Sequence, residues 1–353
     1  MHPIIRQDIR QIIKDIKKEA RLMEGKTLLI SGGAGFLGSY IVATISLLNT
    51  SLFKSPCRVI VVDNYITGKR KRDLESLDDK NIEFITHDIT KPIIIDKTID
   101  YIIHAAGLAS PVYYRKFPLE TIEAAIFGAK NLLELARKKK VKSFLFFSSS
   151  EIYGDPDPNF IPTPETYRGN VSPIGSRACY DESKRLGETI SITYFDKYKV
   201  PVKIVRPFNV YGPGMRPDDY RVIPTFLMRA LERKPLPVHD EGNQTRTFCY
   251  ISDATTAFLK VLLSHKSGEV YNVGSDDDEI NMMSLAQIVA DVSPKKVEIK
   301  RIPYPENYPK DEPRRRRPDL SKIKNILNYR TRVSLRTGLA RTLRWFASQL
   351  EKQ

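Results

Sequence analysis

The chain has 353 residues, 41% hydrophobic and 28% charged, with 57 Lys+Arg against 42 Asp+Glu and a formal net charge of +15. Such a chain can bury a full core as one large domain or two lobes. No apolar run reaches the roughly 20 residues that cross a bilayer, and the N-terminus lacks a signal-peptide core, so a cytoplasmic location is expected with no membrane span.

Residues 1–25 stand apart as an amphipathic helical extension, in which Ile5, Ile9, Ile12, Ile13 and Ile16 make a stripe opposite charged residues. Packing on the body or on a subunit is its default reading, and membrane-surface association the alternative. The short apolar run Thr27-Leu28-Leu29-Ile30-Ser31 leads into Gly32-Gly33-Ala34-Gly35-Phe36-Leu37-Gly38 and then a helix-like stretch. Strand, glycine turn and helix in this order let backbone N–H groups approach a pyrophosphate on the positive end of the helix. A second strand, 58–62, ends in Asp63, where a carboxylate accepts hydrogen bonds from an adenosine ribose and repels a 2′-phosphate. NAD is therefore favoured over NADP, although the basic run 69–72 weakens the preference.

Further strands follow at 82–85, leading to Asp88 and Ile89, and at 101–104, ending in His104, Ala105 and Ala106. A helix over about 119–139, a strand at 143–147, a helix through Tyr180 and a strand at 202–206 complete the repetition. This is an α/β, Rossmann-type doubly wound parallel sheet, with an NAD-binding domain over 26–206. From about Asn209 the prolines and loops increase, so 207–353 reads mainly as a smaller substrate-binding lobe interleaved with the first.

Tyr180 and Lys184 lie one helical turn apart on a single face, and a nearby cation favours the phenolate. Lys184 is therefore expected to pull the phenol down toward a working general-base range. Ser148-Ser149-Ser150-Glu151 sits at a strand end that faces the ligand crevice, offering hydroxyls and a carboxylate. Cys57, Cys179 and Cys249 are too few and scattered for a disulfide framework or a zinc site, and the five histidines show no ligand spacing, so no metal is expected. The basic runs 69–72, 138–140 and 314–317 fall on different elements without interleaved aromatics, which argues for an anionic small substrate and against nucleic acid.

The chain resembles the extended short-chain dehydrogenase/reductase family, and within it the UDP-glucuronate decarboxylases, from about residue 26 to 346. The resemblance rests on Asp63-Asn64-Tyr65-Ile66-Thr67-Gly68-Lys69, Ser150-Glu151-Ile152-Tyr153-Gly154-Asp155-Pro156, Arg177-Ala178-Cys179-Tyr180-Asp181-Glu182, Gln244-Thr245-Arg246-Thr247-Phe248 and Arg316-Arg317-Pro318-Asp319. The run 177–182 is the most specific to decarboxylases.

The resemblance implies a redox-neutral cycle on a UDP-sugar: oxidation at C4, loss of CO2 and re-reduction, turning UDP-glucuronate into UDP-xylose. It implies catalytic roles for Tyr180, Lys184, Ser149 (usually Thr in the family), Ser150, Glu151 and Arg246. It implies cofactor contacts from Gly32, Gly35, Phe36, Leu37, Gly38, Asp63, Asn64, Thr67, Gly68, Asp88, Ile89, Ala105, Ala106, Tyr180 and Lys184. Ser110 and Tyr114 would face the sugar, and Asn209, Arg221, Arg246 and Arg316 would grip the diphosphate. It further implies a homodimer built from the helix near 120–138 and the Tyr180 helix. Ile122, Ala125, Ile126, Leu132, Leu133 and Ile190 could line that interface or equally pack on the sheet.

A nucleotide-sugar 4,6-dehydratase is the main alternative. Family dehydratases often place an Asp acid where Ser150 stands, because they must protonate a leaving hydroxyl. A 4-epimerase usually lacks the glutamate found at Glu151. An idle NAD-binding regulator or RNA-binding protein would be expected to have lost Tyr180 or Lys184.

Overall fold

The computed structural model describes residues 1–67, 79–277, 279–304 and 313–351. Its centre is a seven-stranded sheet made of β1 (Thr27–Ser31), β2 (Arg58–Asp63), β3 (Ile82–Thr86), β4 (Tyr101–His104), β5 (Ser143–Phe147), β6 (Val202–Pro207) and the edge strand Glu269–Val273. All neighbours are parallel, in the order β3-β2-β1-β4-β5-β6 and then the edge strand. β1, β4 and β5 are buried along their whole length, as strands covered by helices on both faces must be. β3 is the exposed edge, with Phe84 facing outward.

The order reverses between β1 and β4, so the loops leaving these two strands diverge and open a crevice at their C-terminal ends. Outside this sheet lie short pairings: Val210–Tyr211 with Cys249–Tyr250, Leu236–His239 with Ile299–Ile302, and Thr245–Arg246 between Ile280–Asn281 and Arg315–Arg316. Within the C-terminal half the chain also returns to the main body, placing helix Ile251–Leu263 and strand Glu269–Val273 against the sheet.

The helix expected over about 119–139 is interrupted. Pro118–Glu123 passes into a π-helical turn at Ala124–Gly128 before the α-helix Ala129–Lys139 resumes. The buried His104 ring reaches the Ala124 carbonyl at 3.1 Å, while a Cβ on Gly128 would come within 3.3 Å of that ring. A side chain inserted at a helical turn is one of the recognised causes of such a bulge.

The N-terminal helix, Pro3–Ala20, is part of the body. Ile5, Ile9, Ile12 and Ile16 are fully buried in the main core, against helices Phe36–Ser51 and Ile251–Leu263. Its one buried charge, Asp8, accepts hydrogen bonds from Tyr250 at 2.7 Å and Tyr40 at 3.4 Å, and pairs with Arg341 at 2.9 Å.

Burial outweighs these partners and pushes the Asp8 carboxyl up to about 6. A carboxyl easier to protonate in the folded than in the unfolded chain contributes most below its unfolded value of 3.8, and that contribution is lost as pH rises through 6. Asp8→Asn removes this titration. Thermal melts should show the variant gaining on the wild type between about pH 4 and pH 7. A gap independent of pH would mean that Asp8 ionises in the fold without penalty.

Candidate active site

The glycine turn is built for close approach. Gly32 has φ +73°, and a Cβ there would lie 2.6 Å from the Ala106 nitrogen. A Cβ on Gly38 would lie 2.4 Å from the Gly32 carbonyl oxygen, so the helix beginning at Phe36 packs directly on the turn. Its N-terminal N–H groups face the crevice end of β1, flanked by Gly35 and Leu37. At the end of β2, the Asp63 carboxylate accepts the N–H groups of Ala34 at 3.2 Å and Tyr65 at 2.9 Å, joining the turn to the 63–67 loop.

Asn64 turns that loop by accepting from Ile66, and the Thr67 carbonyl accepts from Arg216 of the second lobe at 2.6 Å. Gly68 and the basic run 69–72 lie outside the described residues. Asp88 caps the next turn through Thr90, and the carbonyls of Ile89 and Thr90 are held by Asn131. Ala105 and Ala106 follow β4 and form the floor under Gly32.

Tyr180 lies in the first turn of helix Ala178–Tyr198, and both Tyr180 and Lys184 are buried. The Tyr180 phenol is hydrogen-bonded to Ser149, and its ring stacks on Tyr114 with centroids 5.3 Å apart. The Lys184 ammonium donates to the Phe147 carbonyl at 2.8 Å and lies beneath Gly107, where a Cβ would sit 3.3 Å away. Its distance from the Tyr180 ring centroid is 5.9 Å.

The expected depression of the phenol does not hold in this arrangement. Burial dominates and pushes Tyr180 up to about 12, against opposing contributions from Ser149 and Arg221. Burial likewise drops Lys184 to about 8. Taking both groups out of water disfavours each charged form, and the ammonium spends its hydrogen bond on a backbone carbonyl.

His104, beside Lys184, is also driven to about 3 by burial. A neutral ring whose Nε2 faces the Ala124 carbonyl must donate there, so Nδ1 accepts from the Ser31 hydroxyl at 2.8 Å.

Glu151 belongs to the 3₁₀ turn Ser150–Tyr153 after β5, begun by the Ser149 side chain accepting the Glu151 N–H. Two buried guanidinium groups hold its carboxylate. Arg316 lies 2.6 Å from each oxygen, and Arg177 pairs with Oε2. Arg177 was legible only as part of the run 177–182; its four-residue spacing from Asp181, which it approaches at 3.5 Å, is the signal that marks it.

Arg246 sits beside Arg316 across a strand pair but sends its guanidinium to the carbonyls of Thr245, Pro313 and Arg314. It thus anchors the strand that carries Arg316 rather than contacting Glu151. Arg221 is paired with Asp219 at 2.7 Å, and Asn209, at φ +39°, donates to the Thr247 carbonyl. Among the described residues, the hydroxyls of Ser110 and Ser148 are buried without a hydrogen-bond partner. Two orphaned hydroxyls at a crevice are what a polar ligand would satisfy.

The sheet reversal and the glycine cradle are features of a dinucleotide-binding α/β fold, and the buried Tyr180 and Lys184 follow the strand next to the reversal. The chain belongs to the NAD dependent epimerase/dehydratase family, whose profile matches residues 28–274. It is 40% identical to UDP-glucuronic acid decarboxylase 3 of Arabidopsis thaliana over 312 residues, covering 88% of this chain and 86% of that protein. To UDP-glucuronic acid decarboxylase 1 of Danio rerio the identity is 37% over 329 residues, covering 93% and 74%.

Among solved structures, the epimerase Mth375 of Methanothermobacter thermautotrophicus superimposes with a TM-score of 0.82 at 27% identity, covering 96% of this chain and 97% of that one. The UDP-glucuronic acid 4-epimerase of Bacillus cereus, solved with UDP-glucuronic acid and NAD, gives 0.76 at 25% identity, covering 92% and 99%.

The residues present fit NAD. Replacing Gly38 with Ala should therefore weaken NAD binding at least about tenfold, or about 1.4 kcal/mol, by calorimetric titration, while circular dichroism stays unchanged. Undiminished affinity would show that the turn has room to spare.

Proposed function

We propose that the chain is an NAD-dependent decarboxylase that converts UDP-glucuronate to UDP-xylose. The observation that carries the reading is the Glu151 carboxylate, held by Arg177 and Arg316 one short turn from the Ser149–Tyr180 pair. Ser150 stands where an acid for a leaving hydroxyl would be needed in a dehydratase. The relatives sharing 37–40% identity are decarboxylases by name.

Bound NAD supplies the hydride acceptor and later the donor, with a positive ring that favours the Tyr180 phenolate. Gly32, Gly35, Phe36, Leu37 and Gly38 would receive its pyrophosphate, Asp63 its adenosine ribose, and Lys184 its nicotinamide ribose. Tyr180 accepts the proton of the sugar C4 hydroxyl, which Ser149 orients. The resulting C4 ketone lies β to the C6 carboxylate, so the C5–C6 bond breaks, CO2 leaves and its electrons remain as an enolate across C4 and C5. Tyr180 stabilises that oxygen. One solvent proton enters at C5 by way of Glu151, and Tyr180 reprotonates the C4 oxygen as hydride returns. Asn209, Arg221 and Arg316 bind the diphosphate, for which the planar guanidinium fork is suited, Arg246 braces the strand that carries Arg316, and Ser110 and Tyr114 face the sugar.

Purified protein incubated with UDP-glucuronate should release C6 and yield a UDP-pentose by NMR. No turnover there, with conversion of a nucleotide-hexose to a 4-keto-6-deoxy sugar, would make it a dehydratase. Tyr180→Phe should cut turnover by about 10²–10⁴-fold with NAD still bound.

The same reading includes a cytoplasmic homodimer. Cys57, Cys179 and Cys249 are all free thiols, as a reducing compartment would keep them. Leu132 and Leu133 pack against the sheet, whereas Leu119, Phe127 and Leu186 are exposed at 68%, 51% and 43% on the two helices expected to pair. Replacing Phe127 and Leu186 together with Asp should give a monomer by analytical ultracentrifugation. A persisting dimer would place the interface elsewhere.

A further inference from the structure

We propose that Arg177 is a positioning residue for the C5 proton step, tying Glu151 to the helix that carries Tyr180. Resting on the decarboxylase reading for the identity of that step, the inference draws its geometry from the residues themselves.

Arg177 immediately precedes the helix Ala178–Tyr198. Its carbonyl accepts the N–H groups of Tyr180 at 2.9 Å and Asp181 at 3.1 Å, so its backbone closes the turn that presents the phenol. Its side chain, 5% exposed, runs back to Glu151 on the turn after β5. One residue therefore joins the two elements that carry the phenol and the carboxylate.

Arg316 occupies both oxygens of Glu151, but it belongs to the short strand that the substrate's diphosphate is expected to engage. A guanidinium fork cannot serve a phosphate and a carboxylate bidentately at the same time. When Arg316 turns to the substrate, a secluded carboxylate without a cation would take up a proton and lose its orientation. Arg177 keeps it ionised until the enolate needs a proton. Asp181, 3.5 Å from Arg177 and 6% exposed, balances the charge, so two guanidinium groups face two carboxylates.

The relay conserves protons. Solvent protonates the carboxylate, the acid passes that proton to C5, and one proton is consumed for each CO2 released.

The test is a double-mutant cycle of Arg177→Gln, Arg177→Lys and Glu151→Gln on the NAD-loaded enzyme. It reads kcat and KM for UDP-glucuronate across pH, together with the near-ultraviolet absorbance of reduced nicotinamide during turnover. Arg177→Gln should lower kcat about tenfold or more with KM changed less than about twofold. The pH limb that Glu151→Gln abolishes should move to higher pH, and reduced nicotinamide should accumulate because C5 protonation precedes hydride return. Arg177→Lys should recover part of kcat, and the double variant should be no slower than Glu151→Gln alone.

An unmoved pH limb, or losses that multiply in the double variant, would overturn the role of Arg177 while leaving decarboxylation intact. A wild type inert toward UDP-glucuronate would overturn both. If Arg177→Gln does not fold, coupling between Arg177→Lys and Glu151→Gln decides in the same way.

Discussion

A phenol and an ammonium group kept out of water in one crevice is the constraint around which the rest of this structure is arranged. Desolvation pushes Tyr180 up and Lys184 down, because burial disfavours the charged form of each. The phenol keeps its proton in this seclusion, while the ammonium is held by the Phe147 carbonyl. Every neighbouring feature preserves that seclusion: the stacked ring of Tyr114, the neutral His104 locked between Ser31 and Ala124, and the absent side chain at Gly107 that leaves room for the ammonium.

The carboxylate side of the crevice follows a different rule. Glu151 is paired directly with cations, at the cost of gathering four charged groups, three of them buried. Buried pairs of this kind add little net stability, but breaking one leaves an uncompensated charge. Their service here is orientation. The carboxylate is fixed by bonds made to two separate parts of the chain, the start of the Tyr180 helix and the strand Arg315–Arg316.

Much of this was legible from residue order. The apolar runs ending in Gly32, Asp63 and His104 are strands because two-sided burial demands uninterrupted apolar side chains, and their parallel order follows from the helices between them. The Gly38 contact and the one-turn spacing of Tyr180 and Lys184 are local, so sequence carries them. What escaped depends on distance in the chain. The π-turn at Ala124–Gly128 answers to a histidine about twenty residues earlier, the pairing of Arg177 and Arg316 with Glu151 spans 26 and 165 residues, and two backbone partners of Arg246, Pro313 and Arg314, lie far along the chain. The upward shift of Tyr180 comes from depth of burial, which helical spacing does not reveal although it reveals a neighbouring charge.

The helices Pro3–Ala20 and Leu335–Leu350 are fastened to each other. His2 lies 3.2 Å from Ser348, and Asp8 is paired with Arg341 across 333 positions. Protein synthesis proceeds from the N-terminus, so the first helix emerges long before its last partners exist. Its isoleucine stripe packs on helices Phe36–Ser51 and Ile251–Leu263, so it stays partly uncovered until the second of these has been made. The first helix is therefore covered in two stages, by the helix after β1 early in synthesis and by the helix before the edge strand much later.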